Sequence, residues 1–269
     1  MNPLETINQQ CKLLRLPSIA EAAPEALRLA TQQEWSLESF LLYLLEQETT
    51  GRQQRRIERL LREAHLPVGK TMTSFEQSRL PLRLRRQLPE LRQGDFIKQA
   101  DNILIFGQPG TGKTHLAAGL AYDWIQNDYT VWFTPTYKLV DGLLRAKRDY
   151  ELERELKRLD RFQVVILDDI GYVQQSREEM EVLFTFLAER YERRSVVITS
   201  NLVFSQWDQI FKDPLTTAAA IDRVVHHSRI IEFGAEMTSV RAEEATRRQL
   251  QQNETNVNER TLTNANCSS

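Results

Sequence analysis

The chain has 269 residues, enough for one or two domains with a well-buried core. Apolar residues make up 41% of it and charged residues 27%, an ordinary composition for a globular protein in water, and the formal net charge is -2. Cys11 and Cys267 lie near opposite ends and form no metal-ligand spacing with the four histidines, so we expect neither a disulfide framework nor a structural metal. There is no signal-peptide pattern and no apolar run of about 18 residues, so no membrane span is predicted and a cytoplasmic location is expected.

The first part of the chain, from residue 4 to about 66, has the composition of helices interrupted at Pro17. Ser36 is a predicted N-cap for a helix over Leu37–Glu48. Apolar side chains recur there at helical spacing, and core packing is the favoured interpretation of them: Leu37, Phe40, Leu41, Leu44 and Leu45.

An arginine-rich segment, 51–63, follows this helix. Most of its arginines fall on one broad helical face: Arg52, Arg55, Arg56, Arg59 and Arg62. Such a face suits a nucleic-acid phosphate backbone, but a solvated charged helix explains the charge equally well. Residues 66–73, with Pro67 and Gly69, then form a predicted linker.

The most informative stretch is a phosphate-binding loop between a short apolar strand, 103–106, and a helix that begins near His115. Its glycines allow successive backbone amides to turn toward phosphate oxygens at the positive end of the new helix. Lys113 would reach the terminal phosphates and the Thr114 hydroxyl would hold Mg2+, so ATP and Mg2+ are the predicted cofactors. The alternative is a glycine-rich turn without a ligand. The predicted nucleotide-binding residues are Gly107, Gln108, Pro109, Gly110, Thr111, Gly112, Lys113, Thr114 and His115.

After the loop, strand and helix patterns alternate as a parallel α/β sheet requires. Strands are predicted over 103–106, 130–134, 164–167, 195–199 and 229–233, and helices over 115–127, 137–147, 152–159, 178–193 and 218–226. Beyond Arg247 the chain is polar and aperiodic, and we expect a disordered tail. The predicted fold class is an α/β P-loop NTPase domain with a central parallel sheet, preceded by a small all-helical domain.

Two carboxylates, Asp168 and Asp169, end the predicted third strand, at the sheet edge where a nucleotide site belongs. Asp168 would hold Mg2+ through water, and Asp169 would orient or deprotonate the attacking water. Asn201, after the next strand, could polarise the same water or simply form a turn. An arginine is also needed to neutralise the transition state, and spacing does not choose among Arg193, Arg194, Arg223 and Arg241.

These residues resemble the IstB-like ATP-binding helper proteins of bacterial insertion sequences, relatives of the helicase loader DnaC within the AAA+ class. The resemblance covers nearly the whole chain except the tail. It rests on four stretches, of which the last favours a transposition helper over a general loader: 107–117, 167–172, 199–202 with Gln206-Trp207, and Asp222-Arg223-Val224-Val225-His226-His227-Ser228.

The resemblance implies an AAA+ ATPase that assembles as a homo-oligomer on duplex DNA with little sequence preference and recruits and stimulates the transposase of its element. It implies a helical domain over 1–68, an ATPase domain over 69–246 and a tail over 247–269. By position, Asn201 corresponds to the first sensor, Arg223 to the arginine finger and Arg241 to the second sensor. The chain departs from many relatives in having Asp169 in place of Glu and Val240 in place of Tyr.

The resemblance also favours phosphate contacts from Arg52, Arg55, Arg56 and Arg59, because an oligomer repeats this face once per subunit. Two other functions remain open at this point. One is a loader that delivers a replicative helicase to DNA, and the other is a DNA-architectural protein whose ATP has only a structural role.

Overall fold

The computed structural model describes residues 3–171, 176–202 and 224–233. The chain divides into two compact units, Met1–Arg62 and Glu63–Ser269. The predicted domain boundary at residue 68 remains a prediction. Arg223, Arg241, most of the predicted helix over 218–226 and the predicted tail lie outside the described residues.

The first unit is helical, as predicted for this part of the chain. Helix α1 (Pro3–Leu13) packs against α2 (Pro17–Gln32). Helix α2 begins at Pro17, where no backbone hydrogen bond is lost because the first amides of a helix have no partner within it. Helix α3 (Leu37–Ala64) begins after Ser36, whose Oγ accepts a hydrogen bond from the Ser39 amide at 3.2 Å. The arginine-rich segment continues this helix without interruption.

The predicted core face of α3 is wrong in part. Leu44 is buried and Phe40 half-buried, but the side chains of Leu37, Leu41 and Leu45 are exposed, with Leu37 85% accessible. Helical spacing places these leucines on one side of a helix, but it does not require that another element cover that side.

The second unit contains the predicted parallel sheet. Its strand order is β2-β3-β4-β1-β5, and every described pair is parallel. All five residues of β1 are buried, because the strand lies in the interior of the sheet between β4 and β5. The strands are β1 (Asn102–Phe106), β2 (Val131–Pro135), β3 (Val164–Asp168), β4 (Ser195–Ser200) and β5 (Ser228–Glu232).

Helices connect β1 to β2, β2 to β3 and β3 to β4 in the α/β manner, and with the strands they form a large apolar core. They are α6 (Lys113–Gln126), α7 (Thr136–Arg148), α8 (Leu152–Asp160) and α9 (Arg177–Arg190). Ser176 caps α9 through a reciprocal pair of hydrogen bonds with Glu179. None of the helices within the described ranges is both long and apolar enough to cross a membrane.

Two helices before the sheet were not predicted. Helix α4 (Leu82–Gln93) buries Leu84, Leu88 and Leu91, which recur at helical spacing within an arginine-rich segment. Helix α5 (Asp95–Lys98) follows, and its Phe96 packs edge-on against Trp124 at a centroid distance of 5.1 Å. The Trp124 indole donates to the Leu91 carbonyl at 2.7 Å, so α4 is fastened to α6.

Candidate nucleotide site

The phosphate-binding loop connects β1 to α6 with the predicted strand, loop, helix order. Gly110 and Gly112 have φ of 83° and 102°, the left-handed region in which glycine is favoured. The loop is fixed to the sheet because the Gly107 amide donates to the Ser200 carbonyl at 3.2 Å. The Thr111 hydroxyl closes the turn on the Gln108 carbonyl at 2.9 Å.

Lys113 is the first residue of α6, and its side chain is buried against this loop. Its ammonium donates to the carbonyl oxygens of Gly107 at 2.7 Å and Gln108 at 2.9 Å. A buried cation held over a loop at a helix N-terminus matches the charge of a polyphosphate.

Thr114 and Asp168 meet at the carboxyl edge of the sheet. Asp168 Oδ1 accepts hydrogen bonds from Thr114 Oγ1 at 2.9 Å and from Thr199 Oγ1 at 2.7 Å. A hydroxyl and a carboxylate oxygen beside a phosphate-binding loop form the donor set that Mg2+ prefers, so these residues fit the ion.

Asp169 follows β3 in the left-handed region, with φ of 66°, and its side chain is exposed. Its amide donates to Thr199 Oγ1 at 2.9 Å, and the next amide, of Ile170, donates to the Thr199 carbonyl at 3.0 Å. The turn that separates the two carboxylates is thus held by one residue of β4.

Thr199 is the functional residue that the sequence reasoning missed. The register places it beside Asp168, because the preceding residues Leu167 and Ile198 are paired between β3 and β4. The signal available in the sequence was a hydroxyl residue two positions before Asn201, near the end of the predicted strand.

As predicted, Asn201 lies directly after β4. The residue is half-buried. Its Oδ1 atom is buried and has no hydrogen-bond partner among the described residues. A Cβ atom added at Gly171 would approach this oxygen to 2.3 Å, so the amide group lies against the turn after Asp169. Such an unsatisfied polar atom calls for a partner, which a water molecule or ligand would supply.

His115 is held by the segment that precedes the sheet. Its Nε2 lies 3.1 Å from both the Thr71 carbonyl oxygen and Ser74 Oγ. Desolvation by burial, the largest influence, lowers the pKa of His115; the Lys70 charge also lowers it, and the Thr71 carbonyl opposes them. The ring of Phe75 packs edge-on against His115 and would lie 3.2 Å from a Cβ at Gly112, beside the loop.

Arg193 and Arg194, the two arginine candidates within the described residues, lie at the opposite end of the strands from the nucleotide site. Arg193 binds the Asp160 carboxylate at 3.1 Å and Arg194 the Asp160 carbonyl at 3.2 Å, next to the first residue of β4. Asp168 lies at the last residue of β3, so neither arginine belongs to the nucleotide site of its own subunit.

The comparisons with known proteins decide the family. The family model described as "IstB-like ATP binding protein" matches residues 9–247. The chain belongs to the IstB-like family. ATP binding and the AAA+ P-loop fold are therefore properties of this IstB-like chain, and the resemblance noted in the sequence is confirmed.

Two relatives of the IstB-like chain carry names that describe ATP-binding proteins of insertion sequences. One, from Sinorhizobium fredii, is 43% identical over 83% of this chain and 75% of its own length. The other, from insertion sequence IS21 of Pseudomonas aeruginosa, is 36% identical over 88% of both chains. Among solved structures, DnaI has a TM-score of 0.53 at 19% identity, over 63% of this chain and 95% of its own, which shows a shared fold.

The predicted DNA-binding arginines of the IstB-like chain divide into two pairs. Arg52 and Arg55 bind the buried carboxylate of Glu48 at 2.9 and 3.1 Å. The same carboxylate accepts the amide hydrogens of Ser18 and Ile19 at the start of α2. This pair therefore joins α3 to α2 while remaining about half exposed, and the side chains of Arg56 and Arg59 are exposed as well.

Proposed function

We propose that this IstB-like protein is a Mg2+-dependent ATPase that assembles on duplex DNA in its ATP form, recruits and stimulates the transposase of its insertion sequence, and is released by hydrolysis. The observation that carries the ATPase part is the junction of Thr114, Thr199 and Asp168 beside the buried ammonium of Lys113. The transposition part is supported by relatives whose names place them in insertion sequences.

In the proposed reaction the Lys113 ammonium exchanges the carbonyls of Gly107 and Gln108 for the terminal phosphates of ATP. The Thr114 hydroxyl and Asp168 carboxylate would hold Mg2+, which supplies neutralisation of charge on the β- and γ-phosphate oxygens. Because Lys113 begins α6 beside the loop, this exchange would need only a rotation of its side chain.

Asp169 is the proposed base for the attacking water. Its exposed carboxylate follows a turn fixed by Thr199, and such a fixed position is what general-base catalysis requires. The unsatisfied Oδ1 of Asn201 would accept a hydrogen bond from the same water. A shorter carboxylate than Glu at position 169 places the base further from the phosphate, so slow turnover is expected.

In this proposal a neighbouring subunit supplies the arginine that neutralises the transition state. By the family resemblance, Arg223 is the proposed arginine finger for the neighbouring subunit's nucleotide, and Arg241 is the proposed second sensor. A finger supplied in trans makes hydrolysis depend on assembly, and DNA would promote assembly by aligning the subunits.

The test is the assembly state on duplex DNA, measured by light scattering with ATP, ADP and no nucleotide. We expect large complexes with ATP only, none with Lys113→Ala, and stable complexes that fail to disassemble with Asp169→Asn. The isosteric Asp169→Asn variant is the matched control for folding and ATP binding. A protein that stays small on DNA in every nucleotide state contradicts the proposal and favours a helicase loader. ATP-dependent assembly without any turnover contradicts the ATPase part alone.

A further inference from the structure

A second cluster of ligand-type side chains lies at the opposite edge of the sheet from the nucleotide site, near the first residues of β4 and β5. It consists of Glu192, His226 and His227, all exposed. One potential ligand atom from each lies within 4.8 Å of the other two, and His227 Nε2 is 3.6 Å from Glu192 Oε1. Ligand atoms of one zinc ion are roughly 3.3 Å apart, from bonds of about 2.0 Å at tetrahedral angles. Rotation of the exposed side chains would bring the ligand atoms to that spacing.

His226 is oriented by a partner that does not belong to the cluster. Its Nδ1 lies 3.1 Å from the Tyr191 hydroxyl oxygen, and its ring packs at 4.3 Å from that of His227. When Nδ1–H donates to the Tyr191 oxygen, the other ring nitrogen, Nε2, carries the lone pair that an ion would bind. If the cluster were only an ion pair, His227 and Glu192 would suffice, and His226 would need no such orientation.

The backbone that carries the two histidines is fixed to the sheet by Asn102. The Asn102 amide donates to the His227 carbonyl at 2.6 Å, and its side-chain Nδ2 donates to the Val224 carbonyl at 3.1 Å. Its Oδ1 accepts from the Val196 amide at 2.9 Å. One buried asparagine thus joins the histidine pair to the starts of β1 and β4.

Glu192 is also held on a rigid segment. Two residues before it, Arg190 is 2% exposed and donates to four carbonyls, at 2.9 to 3.2 Å, those of Leu159, Phe162, Gln163 and Ser195. Glu192 itself has φ of 56°, so the backbone leaves the helical conformation of α9 before this residue. Both halves of the cluster are therefore positioned before any ion arrives, as a metal site requires.

We propose that Glu192, His226 and His227 bind one divalent transition-metal ion of the Zn2+, Co2+ and Ni2+ class, with water completing the coordination. Two imidazoles and one carboxylate favour these ions, whereas Mg2+ prefers oxygen ligands, so this site and the one at Asp168 select different metals. The sequence predicts no structural metal because Glu192 lies on a different element from the histidines. The ion joins the end of α9 to the start of β5.

The experiment is a Co2+ titration of the full chain after chelator treatment, without nucleotide because ATP itself binds metals. Visible absorption of Co2+ reports its coordination, and competition by Zn2+ gives the affinity for zinc. We expect one ion per chain, Zn2+ displacing Co2+, and a melting temperature that rises with metal. His227→Ala and Glu192→Gln should each weaken binding at least about tenfold, and Tyr191→Phe, which removes only the orienting hydroxyl, roughly tenfold.

The matched control is His65→Ala, which removes an exposed histidine outside the cluster and should leave the affinity unchanged. Glu192→Gln keeps the size of an exposed side chain, so it tests the proposal even if His227→Ala does not fold. The proposal is overturned if both variants bind Co2+ within twofold of the unaltered chain, if binding needs millimolar metal, or if the spectrum shows thiolate ligands.

Discussion

At the scale of single residues, the Thr199 hydroxyl makes two hydrogen bonds that position the candidate site. It donates to Asp168 Oδ1 at 2.7 Å and accepts from the Asp169 amide at 2.9 Å. The first contact orients the proposed Mg2+ ligand, and the second fixes the left-handed turn that aims the proposed base. One buried side chain on β4 therefore sets the positions of the two carboxylates at the end of β3 and just after it.

Thr199→Val keeps the shape of this side chain but removes the hydroxyl. A hydrogen bond to a charged group contributes about 1.5–3 kcal/mol, so we expect ATP hydrolysis to fall roughly tenfold or more and the Mg2+ requirement to rise. Thr199→Ser retains the hydroxyl and should keep most of the activity. The measurement is the initial rate of hydrolysis against Mg2+ concentration for both variants. Equal rates and equal Mg2+ dependence for Val and Ser would show that the hydroxyl has no such role.

At the scale of elements, Glu48 joins α3 to the start of α2. Glu48 is 4% exposed, and its carboxylate is shared by Arg52, Arg55 and the amides of Ser18 and Ile19. The Arg55 guanidinium also donates to Ser18 Oγ at 2.7 Å. A Cβ atom at Gly51 would lie 2.0 Å from that oxygen, so this close approach of the helices needs glycine.

Glu48→Gln should destabilise the first unit by about 1–3 kcal/mol at neutral pH, because charge-assisted hydrogen bonds are lost. Burial by itself raises the pKa of Glu48, but the Arg52 side chain and the two amides outweigh it and lower the pKa below 4.5. The folded pKa is depressed, so the stabilisation is complete above about pH 4.5 and is lost as pH falls through the folded value. Urea unfolding from pH 3 to 7 should therefore show a weaker acid dependence in Glu48→Gln. Parallel curves for the two proteins would contradict this account.

The arginine face of α3 is best tested where it is not part of that junction. We expect Arg56→Glu with Arg59→Glu to weaken duplex DNA binding and to flatten the slope of log affinity against log salt by about 1.8, or 0.9 per lost phosphate contact. Arg145→Glu with Arg154→Glu is the charge-matched control, since both arginines are exposed and lie in the second unit. Equal affinity and slope in the test and control variants would exclude Arg56 and Arg59 from DNA contact.

At the scale of the whole molecule, the sequence predicted what short local patterns determine. The loop from Gly107 to Thr114 and the carboxylates after β3 could be located because each is a continuous motif beside an apolar strand. Helix α4 was not predicted, because Pro89 and the many arginines of this segment are more typical of an exposed connection, although Leu84, Leu88 and Leu91 recur at helical spacing.

Relations between distant segments could not be predicted from the sequence. Thr199 joins Asp168 only through strand pairing, and Glu48 selects two of the four predicted DNA-binding arginines only through the approach of α2. The exposure of Leu37 and Leu41 likewise depends on which face of α3 another element covers. The sequence of one chain predicts which residues share a face of a helix or strand, but not which other element packs against that face.

The position of β1 has a consequence for how the protein is made. Both neighbours of this strand, β4 and β5, are translated long after it, and residues 103–106 pair with 197–200 on one side and 229–232 on the other. Pairing over such separations is slow, and an unpaired apolar edge promotes aggregation. A product that terminates at residue 223 should therefore accumulate as insoluble protein, whereas one that extends through residue 233 should stay in solution. Comparing the soluble fractions of the two products measures this, and equal solubility would contradict it. Premature termination before β5 would thus leave the cell with aggregates rather than a partly active protein.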